Sequence, residues 1–268
     1  MTCALLGAGV MGEIILAGLL RSGTSPSEVV VAERRPDRQA EIQQRYGVQV
    51  VDSTEAVRGA ETVVLVVKPQ DLPGVLDEVG PALAPGALVV SVAAGVETEV
   101  VESHLSGQPV VRVMPNTPAA VGEGMVAISP GAHAGPEHLE RAQQVFSAVG
   151  RVVQVPERYQ DAVTAISGSG PAYLMLVVEA MTDAGVLLGL PRQTATELSV
   201  QTLYGSAALL RETGEHPTVL RESVTSPAGT TAAALRRLEE YRVRAAFISA
   251  AEAARDRSQQ LAQQARQR

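Results

Sequence analysis

The residues with the most evident chemical use come first in the chain. Gly7-Ala8-Gly9-Val10-Met11-Gly12 sets three glycines in a GxGxxG pattern, directly after an apolar run and at the opening of a helical one. In such a βα unit the first glycine permits a tight turn, the second admits a pyrophosphate, and the third lets helix and strand pack closely. The helix N-terminus then offers unpaired N–H groups to the phosphates. A purely structural turn can carry the same glycines, so the strand before and the helix after give the spacing its meaning. Gly7, Gly9, Val10, Met11 and Gly12 are expected to bind a dinucleotide.

The choice between coenzymes should be made at the end of the second strand, in Ala32-Glu33-Arg34-Arg35-Pro36. A carboxylate about 20 residues past the fingerprint accepts from a ribose 2′-hydroxyl and favours NAD, whereas a nearby arginine accommodates the 2′-phosphate of NADP. This chain supplies both, in Glu33 and in Arg34 and Arg35. Two adjacent guanidiniums can outweigh one carboxylate, which favours NADP and leaves NAD open; as solvated loop charges the two arginines would select nothing.

Lys68 is the one lysine among 22 basic residues. Every other basic position is arginine, which does not replace a compact ammonium charge. It sits in Val66-Val67-Lys68-Pro69-Gln70, at the end of a strand run, where an open α/β sheet binds its ligands. Val67, Lys68 and Pro69 are therefore candidates for the coenzyme or active site, against the plainer reading of a surface charge. Ser91-Val92-Ala93-Ala94-Gly95 is small enough for a coenzyme to approach the backbone at Ala93 and Ala94, though a tight strand-to-helix turn would look alike.

These residues need a frame. Short Val/Leu/Ile runs flanked by Gly or Pro predict strands over 2–6, 29–32, 49–51, 62–67, 88–92, 110–114, 125–128 and 152–155, with helices over 12–21, 38–46, 71–79 and 97–105. Continuous apolar runs suit strands covered on both faces, and βα alternation implies a doubly wound, mostly parallel Rossmann sheet. After Pro156 the pattern changes to Ala/Leu-rich helices over 158–166, 171–188, 192–211 and 231–262, the last broken near Tyr241. The expected layout is a coenzyme-binding domain over 1–156 and an all-helical domain over 157–268. These helices are more apolar than a small bundle needs, so a partner subunit should cover part of their surface.

Composition narrows the function further. Hydrophobic residues make up 46% and charged residues 19%, enough apolar material for a real core and too little charge for a disordered chain. With five Tyr, two Phe and no Trp, that core must be aliphatic. Few aromatics and a net charge of −7 argue against a nucleic-acid or anionic-membrane partner. The single Cys3 excludes an internal disulfide, and four scattered histidines offer no metal motif. The N-terminus has no basic leader, and the apolar stretch 172–190 carries Glu179 and Asp183, which suits a buried protein helix. A soluble, cytoplasmic protein is expected.

Four segments in register carry a family resemblance: Val66-Val67-Lys68-Pro69-Gln70, Arg112-Val113-Met114-Pro115-Asn116-Thr117-Pro118, Ser167-Gly168-Ser169-Gly170-Pro171-Ala172-Tyr173 and Ser226-Pro227-Ala228-Gly229-Thr230-Thr231. Together they resemble pyrroline-5-carboxylate reductase over nearly the whole chain. The resemblance implies hydride transfer from NAD(P)H to the C=N carbon of Δ1-pyrroline-5-carboxylate, giving L-proline in the last step of its biosynthesis. It implies an N-terminal Rossmann domain, a helical dimerisation domain, dimers that can build decamers, and an active site at the dimer interface. It assigns Ser226 and Thr231 as catalytic hydroxyls, with Thr231 the proposed proton donor. Val224, Gly229 and Thr230 go with the substrate, and Asn116 joins the coenzyme residues.

The chain departs from the family pattern at Ala228, where a glycine is usual, so that position is not expected to need a positive φ. Tyr241-Arg242 stands where members often have a glycine-containing turn, and Glu33 where Asn or Ser is frequent. The chemistry suits the residues. A loop entering a helix near Thr231 can hold a carboxylate on N–H groups and hydroxyls without a buried cation. A threonine hydroxyl is a poor acid, so Thr231 is better suited to hydrogen-bond the imine nitrogen or relay a proton from water. Simple helix capping would use the same two hydroxyls. A β-hydroxyacid dehydrogenase shares the two-domain layout but needs a lysine in its second domain, and none follows Lys68.

Overall fold

The computed structural model describes residues 2–266, with side chains through 264. Its strands form where the valine-rich runs predict them: β1 (Cys3–Leu6), β2 (Val29–Ala32), β3 (Gln49–Val51), β4 (Thr62–Leu65), β5 (Leu88–Ser91), β6 (Val110–Met114), β7 (Gly124–Pro130) and β8 (Gly150–Gln154). The helices are α1 (Val10–Arg21), α2 (Pro36–Tyr46), α3 (Ser53–Val57), α4 (Leu72–Val79), α5 (Thr98–Ser103), α6 (Pro136–Ser147), α7 (Gln160–Val163), α8 (Gly170–Leu187), α9 (Arg192–Thr213), α10 (Pro217–Ser223), α11 (Thr230–Glu240) and α12 (Val243–Arg266).

The strands make one sheet in the order β3-β2-β1-β4-β5-β6-β7-β8. All pairs are parallel except β6–β7. Every residue of β1, β4 and β5 is buried, because helices cover both faces. Alternation along β1 sorts the core: Cys3 and Leu5 face α1, α2 and α6, while Ala4 and Leu6 face α3, α4 and α5. The core is aliphatic as composition requires, with Phe146 of α6 the one fully buried aromatic among the described residues.

Sequence patterning did not anticipate α3, α6 or α10. The largest of these, α6, is a polar amphipathic helix with only Ala142, Val145 and Phe146 buried. The parallel pairing of β7 with β8 makes such a crossover obligatory, since parallel neighbours cannot be joined by a hairpin.

The chain packs as two compact units, residues 2–169 with 253–266, and residues 170–252. The last strand ends at Gln154, yet residues 157–169 group with the sheet because polar side chains tie them there. Glu157 accepts from the Thr98 N–H at 2.7 Å, from the Thr98 hydroxyl at 2.6 Å and from buried Arg112 at 3.3 Å. Ser258 of α12 donates to Asp161 at 2.7 Å, which fixes the end of that helix to the same segment.

The helical unit differs in kind. In the hairpin of α8 and α9, a Cβ at Gly185 would lie 2.8 Å from the Cβ of Ala195, so glycine sets the close approach. Ala195 is also the only fully buried hydrophobic side chain among the described residues of this unit. Leu176, Leu187, Leu188, Tyr204 and Ile248 are all more than 60% exposed. An isolated bundle of this kind would lack the buried apolar area that folding requires. The run 157–187 is long and apolar enough to cross a membrane by length and composition, with 11% of that apolar window buried within the subunit.

Candidate active site

The sheet order reverses between β1 and β4, because β2 and β3 extend to one side and the chain then returns to pair β4 with β1. Such a switch point leaves a crevice outside the carboxyl ends of the strands. A cleft of about 560 Å³ opens there, within the size range of small-molecule sites. Gly7, Gly9, Glu33, Arg34, Arg35, Val67 and Lys68 all line it.

The three glycines have separate reasons. Gly7 has a φ of +102°, and a side chain there would strike the Val66 carbonyl. A Cβ at Gly12 would run into the Gly7 carbonyl oxygen, so the helix can approach the turn only without one. Gly9 is different. Beyond its own chain neighbours no atom lies within 4 Å of where its Cβ would sit, so the fold itself does not require glycine there. Gly9 is also the N-cap of α1, which has no side-chain cap, and Val10 beside it is 78% exposed. Open space and uncapped N–H groups make a cradle for an anion, which fits a dinucleotide pyrophosphate.

Charge at the other end of the cleft is more evenly matched than sequence alone suggested. Glu33 accepts at Oε1 from the N–H groups of Arg34 and Arg35, both at 3.0 Å, and at Oε2 from the Ala8 N–H at 3.2 Å. Burial pushes its carboxyl up, but the N–H groups of Arg35 and Ala8 and the Arg35 guanidinium prevail and hold it below the usual range. Arg35 lies 3.4 Å from Glu33, and Arg34 lies 3.7 Å from Glu78 across the cleft. Both arginines are more than 60% exposed, so these ion pairs are weak and a phosphate can replace them. Lys68 is exposed and has no carboxylate partner among the described residues, which leaves its whole charge for a ligand.

Other expected coenzyme residues lie outside the cleft lining. Ala93 is buried in the core beneath the β5 turn, and Ala94 beside it is exposed. Met11 packs partly against the core, and Pro69 continues the Lys68 turn, in which the Asp71 N–H donates to the Lys68 carbonyl at 2.9 Å. Asn116 is buried, with both ends of its amide engaged. It accepts from the Met125 N–H at 2.8 Å and donates to the Ser167 carbonyl at 3.0 Å, the latter inside a π-helical turn over Thr164–Gly168. Its amide thereby stitches the SGSG segment to the sheet. Sequence reasoning missed Gln39, Asp52, Asp71 and Glu78, which line the cleft. As ordinary polar residues they gave no signal.

The hydroxyl-rich loop lies in the helical unit, where Val224, Ser226 and Thr230 are exposed and Thr231 is half-buried. α11 starts at Thr230 on Gly229, with no side chain capping it. Capping therefore does not consume either catalytic candidate. A Cβ at Gly229 would lie against the Ser226 hydroxyl and 3.1 Å from the Ser226 carbonyl, so glycine lets the Ser226 side chain keep its place. At Ala228 the structure corrects the expectation, for its φ is +55°. The turn needs a left-handed residue there whether or not it is glycine, at a cost of about 1–2 kcal/mol for alanine. Arg242 likewise takes a φ of +54° and breaks the chain between α11 and α12, doing what a glycine would.

Comparison with known proteins bears on both motifs at once. The family model described as pyrroline-5-carboxylate reductase dimerisation matches residues 157–261, and one described as NADP oxidoreductase, coenzyme F420-dependent, matches residues 2–95. The pyrroline-5-carboxylate reductase of Corynebacterium melassecola is 45% identical over 265 residues, spanning 97% of this chain and 98% of that one. The chain belongs to the pyrroline-5-carboxylate reductase family. The Synechocystis reductase is 47% identical over 262 residues, covering 96% of this chain and 97% of its own. Among solved structures, the Coxiella burnetii pyrroline-5-carboxylate reductase has a TM-score of 0.92 at 35% identity, covering 97% of this chain and 98% of that chain. The Plasmodium falciparum enzyme, solved with NADP bound, has a TM-score of 0.86 at 27% identity, covering 98% of each. The family resemblance carried by the four segments is thus the one found. The dimerisation match also agrees with the uncovered apolar helices: this chain is built as a homo-oligomer.

Proposed function

We propose that the protein reduces Δ1-pyrroline-5-carboxylate to L-proline with NADPH, in the cytoplasm, as a homodimer that can assemble further to a decamer. One observation carries the reading: the glycine fingerprint and the hydroxyl-rich loop, the two motifs this reaction needs, lie in one chain that matches known reductases over 96–97% of its residues.

When bound, the reduced nicotinamide supplies hydride to the C=N carbon, and the nitrogen of the ring gains or retains one proton. The chain's residues supply the rest. Residues 1–156 act as the coenzyme domain, with Gly7, Gly9, Val10, Met11 and Gly12 around the pyrophosphate. Arg34 and Arg35 meet the 2′-phosphate and Glu33 the ribose, while Lys68, flanked by Val67 and Pro69, places an unpaired positive charge in the cleft. Ala93 and Ala94 give the coenzyme close access to the backbone, and Asn116 holds the adjoining turn. NADH is accepted less well, because Glu33 and Glu78 oppose the two arginines without cancelling them.

Residues 157–268 act as the dimerisation and substrate domain. The N–H groups opening α11, at Gly229 and Thr230, bind the substrate carboxylate, and Val224 packs against the ring. Ser226 and Thr231 are the catalytic hydroxyls. Thr231 donates a hydrogen bond to the nitrogen and relays a proton from water, since a threonine hydroxyl is too weak an acid to protonate it unaided. Substrate bound as the iminium needs no such transfer.

The test is a coupled measurement of NADPH consumption and proline formation with purified protein and pyrroline-5-carboxylate. Matched loss of coenzyme and gain of proline is expected. Coenzyme binding with no turnover would overturn the reading and mark a non-catalytic relative.

A further inference from the structure

The backbone of Ala8, in the glycine-rich turn, is tied at both its N–H and its carbonyl, by side chains from the end of β2 and from the first turn of α2. Its N–H donates to Glu33 Oε2 at 3.2 Å, and its carbonyl accepts from Arg38 Nε at 3.0 Å. Arg38 is itself held fast. Its guanidinium pairs with Glu13 in the first turn of α1 and, at 2.6 Å, with Glu41 one turn along α2. Glu13 accepts in addition from Arg45 and from the Tyr46 hydroxyl, both at 2.7 Å. The Arg38 side chain is 14% exposed and that of Glu13 20%, so this is a semi-buried network and not a loose surface pair.

Two physical consequences follow. A turn whose two peptide groups on either side of Ala8 are both held presents its free N–H groups in one arrangement before any ligand arrives, which lowers the ordering entropy that binding must overcome. A carboxylate in the first turn of α1 would also repel an anion at that helix N-terminus. Arg38 and Arg45 neutralise it. Tyr46, Arg38 and Arg45 together hold the Glu13 carboxyl below its ordinary range although burial works the other way, so the network stays charged and paired at neutral pH.

We propose that Arg38 is a positioning residue for the coenzyme: it pre-forms the Gly7–Gly12 turn and screens Glu13, and it touches neither the ribose nor its 2′-phosphate. The inference rests on the coenzyme site described above. It sets Arg38 apart from Arg34 and Arg35, because the pyrophosphate is common to both coenzymes.

The experiment measures coenzyme affinity by NADPH and NADH fluorescence, without substrate, and backbone amide exchange over residues 8–12 in the coenzyme-free protein. For Arg38→Gln, Kd should rise by up to about tenfold for NADPH and NADH alike, because binding must then order a turn that a hydrogen bond from a charged donor no longer pre-forms. Exchange at 8–12 should quicken while residues 62–65 stay protected, and kcat at saturating coenzyme should remain within about twofold. Arg38→Lys keeps charge but lacks the fork that serves Ala8 and Glu13 together, so it should fall between the two; it replaces Arg38→Gln if that variant does not fold. A loss confined to NADPH would make Arg38 a 2′-phosphate ligand and overturn the proposal. Unchanged affinities or unchanged exchange would overturn it too. The exchange arm needs no coenzyme, so failure of the coenzyme reading itself would show separately, as absent binding in the unaltered protein.

Discussion

Replacing Gly9 with alanine separates what the fold needs from what a ligand needs. Gly9 has a φ of −68° and a ψ of −169°, which alanine can adopt, and its Cβ would meet nothing within 4 Å beyond its own chain neighbours. Alanine gains roughly 0.4–1 kcal/mol over glycine from a less flexible unfolded chain but loses a similar amount as the N-cap of α1, so stability should stay within about 1 kcal/mol of the unaltered protein. The methyl would instead fill the space over the turn where a pyrophosphate oxygen must come. Losing one charge-assisted hydrogen bond of about 1.5–3 kcal/mol weakens coenzyme binding by roughly 10- to 150-fold. Gly12→Ala is the control, because its Cβ would collide with the Gly7 carbonyl. It should cost at least the 1–3 kcal/mol or so typical of overpacking. Urea unfolding and NADPH fluorescence titration read the two quantities independently. A Gly9→Ala protein that binds NADPH as tightly as the unaltered one would refute the placement of the pyrophosphate; one that unfolds as easily as Gly12→Ala would refute the reading of the open space.

Other expectations are briefer. Replacing Arg34 and Arg35 together with alanine should raise the KM for NADPH about tenfold or more, from the loss of charged hydrogen bonds, with little change for NADH; equal changes in steady-state kinetics would remove the 2′-phosphate role. Thr231→Ala should lower kcat by about tenfold or more with Tm nearly unchanged, and Thr231→Ser should recover most of it, if the hydroxyl serves the nitrogen. Ala228→Gly relieves a left-handed alanine of about 1–2 kcal/mol but frees the unfolded chain by roughly 0.4–1 kcal/mol, so a small rise in Tm is expected and a clear fall would contradict the positive φ. The Glu13 carboxyl is lowered in the fold from an ordinary value of 4.5, so its contribution is present above that pH and is lost as pH falls through the lower folded value. Acid titration of unfolding should therefore show Glu13→Gln losing less stability than the unaltered protein below about pH 4.5.

The sheet was legible because buried parallel strands leave a blunt record: runs such as Val29–Ala32 and Leu88–Ser91 allow few other readings. The glycine fingerprint was legible for a similar reason, since Gly7 and Gly12 are forced by contacts any such turn must make. α6 escaped because its few buried positions are outnumbered by Glu, Gln, His and Arg, and only strand pairing made it necessary. The Arg38–Glu13 clamp could not be read either. Its partners are 25 residues apart, and no local pattern distinguishes them from solvated charges. Ala228 shows the opposite failure: the residue type suggested an unstrained position, and the turn imposed its conformation regardless.

The central claim is that this chain delivers hydride to a cyclic imine carbon. Supplying NADPH deuterated at the transferable position of the nicotinamide, with pyrroline-5-carboxylate, tests it directly. The account predicts L-proline carrying one deuterium on the ring carbon that was doubly bonded to nitrogen. Coenzyme that keeps its deuterium, with no labelled proline formed, would contradict it.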